Sequence, residues 1–365
     1  MRIVQVITRP QRRGAEIFAV QLAEELVNLG HEVWVIALLK GAGGLDYSRG
    51  IIALNLDGKR RIDFYGFNLL ANKLNEIKPD LVQANAADTL RYGVAAKFLS
   101  NHPFKLVYRN ANTISEFIKD KSQLFYNRFL HANVDGVISV SEHSKNDYQK
   151  LFKAKSIQAI PIGINTNEID NRLRPQESAI EGDYLLFIGS LVPEKDPLSL
   201  LSIFKNILQK YPGLKLVYLG SGPLKEELEA KTLNHGLAES VILIPNQKNI
   251  FPILTRAKAL LMPSKNEGLP GVILEAMYCK VPVIAFGVGG IPEILISHQT
   301  GWLIGTGNPK KFEEAIGEVL NALPEELQKI SISARELVLG NYQLDQIAKK
   351  FEDFYHFFLK SERHN

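Results

Sequence analysis

The feature that most constrains this chain is an alternation of short β-rich apolar runs with amphipathic helical stretches, played through twice. Arg2–Ile7, Glu32–Ala37, Asp80–Ala84, Lys105–Tyr108, Gly136–Val140 and Ser156–Ile160 read as strands. Glu16–Leu29, Asp63–Ile77, Thr89–Leu99, Ile114–His131 and Glu142–Leu151 read as the helices between them. Strands separated by helices pair in parallel, and the helices cover both faces of the sheet. The pattern restarts at Tyr184–Ile188 and continues through Lys215–Leu219, Val241–Ile244, Ala259–Met262, Val281–Phe286 and Trp302–Ile304. The polar stretch Asn165 to Gly182 reads as a linker, and Pro324–Leu339 and Leu344–Lys360 as closing helices with no strand after them. The fold expected is α/β: two doubly wound parallel-sheet domains, Rossmann-like, of which 365 residues are enough for both.

A hydrophobic fraction of 45% and a charged fraction of 22% are those of a globular chain that stays in water. No apolar run is long enough to span a membrane, and Met1–Ile7 reads as a first strand rather than a leader. The single cysteine, Cys279, has no partner for an internal disulfide and reads as packed, which points to a reducing, cytoplasmic location. The net charge of +4 divides unevenly: residues 1–165 carry about +7 and the rest about −3. Basic residues meet aromatics at Lys59–Tyr65 and from Lys119 to His131. Such patches suit an ordinary solvated surface, or an anionic partner such as the cytoplasmic face of a membrane. No nucleic-acid motif accompanies them.

One segment carries chemistry. In Glu267-Gly268-Leu269-Pro270-Gly271-Val272-Ile273-Leu274-Glu275, a tight loop feeds a helix, and two carboxylates stand eight residues apart. A helix start presents unpaired N–H groups and a partial positive charge, a natural seat for phosphate. The natural partners of the two carboxylates are sugar and ribose hydroxyls. The ordinary alternative is a solvated helix with one glutamate near its start. No Asp-x-Asp pair occurs, and the eight histidines are scattered, with no two at ligand spacing, so no metal is expected. Charge for a departing phosphate must then come from protein groups.

The spacing of Glu267 and Glu275 resembles the E-x7-E motif of the retaining GT-B glycosyltransferases of the "glycosyl transferases group 1" family, glycosyltransferase family 4. Phe187-Ile188-Gly189-Ser190-Leu191-Val192-Pro193-Glu194-Lys195-Asp196-Pro197 is similar to that family's strand, glycine turn and lysine. Leu219-Gly220-Ser221-Gly222-Pro223 is similar to its G-x-G-P turn, and Pro263-Ser264, Gly287-Val288-Gly289-Gly290-Ile291-Pro292-Glu293-Ile294 and Gly301-Trp302-Leu303 fall in the family's order. The resemblance is dense over residues 184–305. It implies the GT-B fold, with two domains facing each other across a cleft: 1–165 for the acceptor, 166–343 for the nucleotide sugar, and helix 344–365 packing back on the first.

The resemblance also implies roles. Lys195, otherwise an ordinary loop lysine, becomes a phosphate ligand. Glu267 faces the donor sugar and Glu275 the ribose. Gly189, Ser190, Gly268, Leu269, Pro270, Gly271 and Val272 line the phosphates, and Asn246 and Gln247 flank the base. Arg13-Gly14-Ala15-Glu16 resembles the family's G-G-A-E loop, so Gly14 opens a second anion-friendly helix start. Two departures stand out. Ser190 occupies the place of a family arginine, which directs attention to Arg12, Arg13 and Arg109 as substitutes. Asn110 most nearly replaces a family histidine near the reacting carbon and stands with Lys195 and Glu267 as the expected catalytic set. The implied activity is retaining, metal-independent transfer of a sugar from a nucleoside diphosphate, UDP before GDP, to a saccharide or lipid-linked saccharide. No cofactor is expected. Two other readings remain open: a non-catalytic nucleotide-sugar binder, and a nucleotide-sugar 2-epimerase on a related scaffold.

Overall fold

A computed structural model describes residues 1–41, 43–58, 62–173 and 180–360. The chain divides into two compact units. Met1–Gly163 and the segment from Leu344 onward form the first, and Ile164–Gln343 the second.

The first unit holds a seven-stranded sheet. Its strands are β1 (Arg2–Ile7), β2 (Glu32–Leu39), β3 (Ile51–Leu56), β4 (Leu81–Ala84), β5 (Lys105–Asn110), β6 (Gly136–Ser139) and β7 (Ile157–Ala159). They run parallel in the order β3-β2-β1-β4-β5-β6-β7. The second unit holds six: β8 (Tyr184–Ile188), β9 (Lys215–Leu219), β10 (Val241–Ile244), β11 (Ala259–Met262), β12 (Val283–Phe286) and β13 (Trp302–Ile304). Their order is β10-β9-β8-β11-β12-β13, again parallel throughout. In both sheets the order reverses beside the first strand, so the topological switch points fall between β1 and β4 and between β8 and β11. Ligands of doubly wound sheets bind beyond the carboxyl ends of the strands at such points. Strands β1, β4 and β5 are buried almost throughout, as strands covered on both faces are.

Three elements differ from the sequence expectation. Strand β3 was not anticipated. It is an edge strand whose exposure alternates, so its apolar signal is half that of its neighbours, and Asn55 interrupts it with φ 55°. The helix expected over Ile114–His131 is a single tight turn, Ile114–Phe117, followed by a helix Lys121–Ala132. Asp120 divides them, because its carboxylate accepts the Gln123 N–H at 2.8 Å and so caps a new helix instead of continuing an old one. The stretch expected as a linker opens with a helix, Thr166–Arg172, capped by Asn165.

The helix Leu344–Lys360 completes the first unit. Phe351 lies against Phe18 of the helix Gly14–Asn28, with ring centroids 5.7 Å apart. A Cβ on Gly136 would sit 2.3 Å from Phe358, so β6 begins with glycine where this helix presses on it. Tyr355 ends in a fully buried amide network. Its hydroxyl donates to Gln83 Oε1 at 2.6 Å, Gln83 donates to Gln5 and Asn85 at 2.9 Å each, and Asn85 donates to Gln5 at 2.9 Å. Amides buried at the sheet's centre are tolerated because they satisfy one another. Among the described residues no helix is long and apolar enough to cross a membrane.

His131 is buried and held among aromatics. It stacks on Phe152 at 4.1 Å, and its Nδ1 shares a hydrogen bond with the Tyr148 hydroxyl at 3.0 Å. Burial pulls its pKa from 6.5 down to about 3. The unfolded chain therefore takes up a proton here below pH 6.5 that the folded chain refuses until about pH 3, and stability is lost as pH falls through that window. His131→Phe is expected to remove this contribution, which is worth on the order of 1.4 kcal/mol per pH unit at most. Urea unfolding at several pH values between 6.5 and 4 checks it. A gap between wild type and variant that stays constant with pH would refute the assignment.

Candidate functional site

The second switch point is built by backbone crossings that admit only glycine. After β8 the chain turns at Gly189, whose N–H donates to the Leu219 carbonyl at 3.1 Å, and Leu191 N–H donates to Ser221 at 3.0 Å. A Cβ on Gly220 would lie 1.9 Å from the Gly189 carbonyl oxygen, and one on Gly222 2.4 Å from that of Leu191. The turn Pro193–Lys195 is thereby laid beside the loop that follows β11. Lys265 N–H donates to the Glu194 carbonyl at 2.8 Å, and the Lys265 ammonium pairs with Asp196 at 2.9 Å.

This clamp brings Lys195 to Glu267. The ammonium lies 2.5 Å from Oε1 and 2.7 Å from Oε2, and the glutamate is only 6% exposed. Two of the three ammonium hydrogens are used, which leaves one donor for an anion. From the other side, Gly289 N-caps nothing but sits at φ +56° with its Cα against the loop; a Cβ there would stand 1.8 Å from the Glu267 carbonyl oxygen. Gly290 N–H donates to the Gly268 carbonyl at 2.6 Å.

The helix Gly271–Tyr278 follows directly. Pro270 stands at its N-cap, and no side chain caps it among the described residues. The N–H groups of Gly271 and Val272 head this helix, with the partial positive charge of a helix start. Gly268, Leu269 and Pro270 are buried beneath the turn. Glu275 is half-buried one turn along, and its charge adds to the burial that pushes the Cys279 thiol up to about 12. Ser190 is half-buried at the Gly189 turn, while Asn246 and Gln247 lie exposed beyond β10. Two buried polar atoms beside Glu267, Ser264 Oγ and Asn266 Oδ1, have no hydrogen-bond partner among the described residues. Neither residue had been picked out for a role, and only their place between Pro263 and Glu267 pointed to them. Buried polar atoms left open in this way mark a place where a ligand or water completes the site.

The first unit has its own switch point. A depression of about 910 Å³ is lined there by Thr8, Arg9, Arg13, Glu16, Ala86 and Asp88 among others. Gly14, at the start of the helix Gly14–Asn28, is exposed, and a Cβ on it would meet nothing within 4 Å. The Glu16 carboxyl is pushed up by burial, with opposing contributions from a backbone hydrogen bond and from Arg13 and Arg109. The sequence singled out Gly14 here but not Glu16 or Asp88.

Two residues expected on a loop, Arg109 and Asn110, lie in the sheet of the first unit. Strand β5 runs to Asn110, two residues beyond its expected end, so Arg109 and Asn110 lie in a central strand and not on a loop. Asn110 has no exposed surface. Its amide donates to the Ser144 carbonyl at 3.2 Å, and its Oδ1 has no hydrogen-bond partner among the described residues. Arg109 is also buried. Its guanidinium lies 4.4 Å over the Phe18 ring, Nε and Nη1 have no hydrogen-bond partner among the described residues, and burial pulls its pKa down to about 10. The fold also gathers two histidines, His31 and His356, around Glu352, contrary to the expectation that the histidines stand apart.

Gly289→Ala is expected to cost about 1–3 kcal/mol, because the new methyl must push the Glu267 carbonyl aside at a positive φ. Gly287→Ala is the control, since its Cβ would meet Leu303 at an ordinary 3.4 Å. Equal urea midpoints for the two variants would show that the Glu267 loop is not pinned in this way.

Residues 12–168 match the family model Glycosyltransferase Family 4, and residues 170–337 match Glycosyl transferases group 1. An uncharacterized glycosyltransferase of Methanocaldococcus jannaschii is 31% identical over 212 residues, covering 57% of this chain and 55% of its own. The sulfoquinovosyl transferase of Arabidopsis thaliana is 26% identical over 286 residues, covering 73% of this chain and 54% of its own. The chain thus spans little more than half the length of these relatives. Among solved structures, the Anabaena protein HepE in complex with UDP-glucose superposes with a TM-score of 0.82 at 19% identity, over 99% of this chain and 100% of that one. That likeness and the two parallel sheets make the fold GT-B. With a model matched on each half, the chain belongs to the group 1 glycosyltransferases.

Proposed function

We propose that the chain is a retaining, metal-independent glycosyltransferase that moves a hexose-type sugar from a nucleoside diphosphate to a hydroxyl of a saccharide or lipid-linked saccharide. The observation that carries this reading is the Lys195–Glu267 pair beside the uncapped start of the helix Gly271–Tyr278, at a sheet switch point. An ammonium and a row of N–H groups converge where a diphosphate develops charge as it leaves. In this reading Glu267 holds the donor sugar's hydroxyls and Glu275 those of the ribose. Asn246 and Gln247 border the base, and the depression by Gly14 and Glu16 takes the acceptor. The lack of any Asp-x-Asp pair supports charge stabilisation by protein groups. UDP is favoured as the donor nucleotide because the Anabaena neighbour was solved with UDP-glucose.

Ser190 and the buried Arg109 and Asn110 favour a second reading, a nucleotide-sugar binder without turnover. A transfer assay over UDP-, GDP- and ADP-sugars separates the two. In the first reading Lys195→Ala lowers turnover on the order of 100-fold and weakens nucleoside diphosphate binding more than nucleoside binding. Equal losses for both ligands would remove Lys195 from the phosphates.

The same reading includes a lipid-linked acceptor reached from an anionic membrane surface. Its support is the helix Lys121–Ala132, which also carries Lys121 and Arg128 and where Phe125 is 78% and Phe129 53% exposed. Exposed aromatics flanked by basic residues suit an interfacial helix. Phe64 and Tyr65 are exposed as well, while Lys59, Arg60 and Arg61 lie outside the described residues. The chain is expected to sediment with anionic vesicles, less so at high salt, and Phe125→Ser with Phe129→Ser should abolish it. Equal recovery in the supernatant with neutral and anionic vesicles would leave a soluble acceptor.

A further inference from the structure

The chain's histidines are separated by long stretches of sequence, yet the first unit brings two of them to one carboxylate. His31 immediately precedes β2, and Glu352 and His356 stand one turn apart on the helix Leu344–Lys360, so that both side chains project from the same face. His31 Nε2 lies 2.8 Å from Glu352 Oε1, and His356 Nε2 lies 3.8 Å from the same oxygen. One ligand atom from each of the three falls within 4.8 Å of the others. His31 is buried, its Nδ1 lies 3.2 Å from the Met1 nitrogen, and that contact sets the ring's plane with Nε2 aimed at Glu352. The imidazoles of His31 and His356 meet edge to face, with centroids 6.1 Å apart.

We propose that His31, Glu352 and His356 form a site for a divalent transition metal, with Zn2+ the ion that best suits two imidazoles and one carboxylate. Bonds of about 2.0–2.1 Å in a tetrahedron put ligand atoms about 3.3 Å apart. The separations of the two histidine nitrogens from Glu352 Oε1, 2.8 and 3.8 Å, bracket that edge. On this proposal His356, whose side chain is 43% exposed, rotates to close the remaining distance. Water fills the fourth position, because the protein offers three ligands. What the site does is mechanical: it ties the helix Leu344–Lys360 to the amino end of β2, across 321 residues of chain. A ligand bound only by the folded state raises stability by mass action.

The test uses the full chain, untagged, stripped with chelator and desalted. Zn2+ is titrated calorimetrically, and thermal unfolding is followed with and without it. Co2+ serves as a spectroscopic probe, since a low-symmetry, four-coordinate site gives intense visible absorption. The expected result is uptake of a single equivalent with a dissociation constant of about 10 µM or tighter, a raised unfolding temperature, and the visible Co2+ bands. His356→Ala and Glu352→Gln should weaken uptake by about tenfold or more and lose the thermal shift. His356→Ala should unfold much like the wild type when metal is absent, because the side chain is partly exposed and packs little into the core. Absence of Zn2+ uptake by the wild type overturns the proposal. So does uptake by His356→Ala as tight as the wild type's, which would assign the ion to another place and leave His31–Glu352 as a simple hydrogen bond.

Discussion

Parallel pairing is the constraint on which the rest depends. Among the described residues each strand runs in the same direction as its neighbours, so the loops that follow the strands emerge at one end of their sheet. Residues far apart in sequence are then delivered to one place. Lys195 follows β8 and Glu267 follows β11, 72 residues later, and they meet because those two strands are adjacent at the sheet's centre. The same rule gathers the Gly14 loop and Ala86–Asp88 around one depression in the first unit. The buried amides of Gln5, Gln83 and Asn85 line up across β1 and β4 for that reason too.

The ion pair also sets the character of the resting site. An ammonium bonded to both oxygens of a buried carboxylate has already given up part of its hydration, so a second anion meets a charge that is positioned and partly neutralised. On the proposed reading, the diphosphate takes the remaining donor and the helix N–H groups without having to dismantle the pair. The glycines at 220, 222 and 289 make that possible by letting three backbones approach to distances no side chain would allow.

Much of this was legible in the sequence. The strands of the second unit fall where the apolar runs put them, because buried parallel strands are apolar on both faces and short. The glycine and proline turns around Glu267 were legible for a related reason: the backbone there needs those residue types. Other features were not. β3 lies at an edge and buries one face only, so its signal was weak. Asp120 ended one helix and began another through its side chain, which periodicity does not register. Arg109 and Asn110 looked like loop residues because they are polar, yet they extend a central strand, where the core accepts them by stacking on Phe18 and by bonding to Ser144. The approach of His31 to His356 is a tertiary fact with no local trace.

The helix Leu344–Lys360 has one further consequence. Phe351 and Tyr355 are fully buried in the first unit, so that unit's core stays open until a helix that follows the whole second unit has been made. The second unit, by contrast, is continuous from Ile164 to Gln343 and has all its residues in hand earlier. During synthesis the usual order, amino-terminal domain first, is therefore reversed. The half that emerges first waits, with the Phe18 face exposed, for the half that emerges second to finish and for its own final helix to arrive.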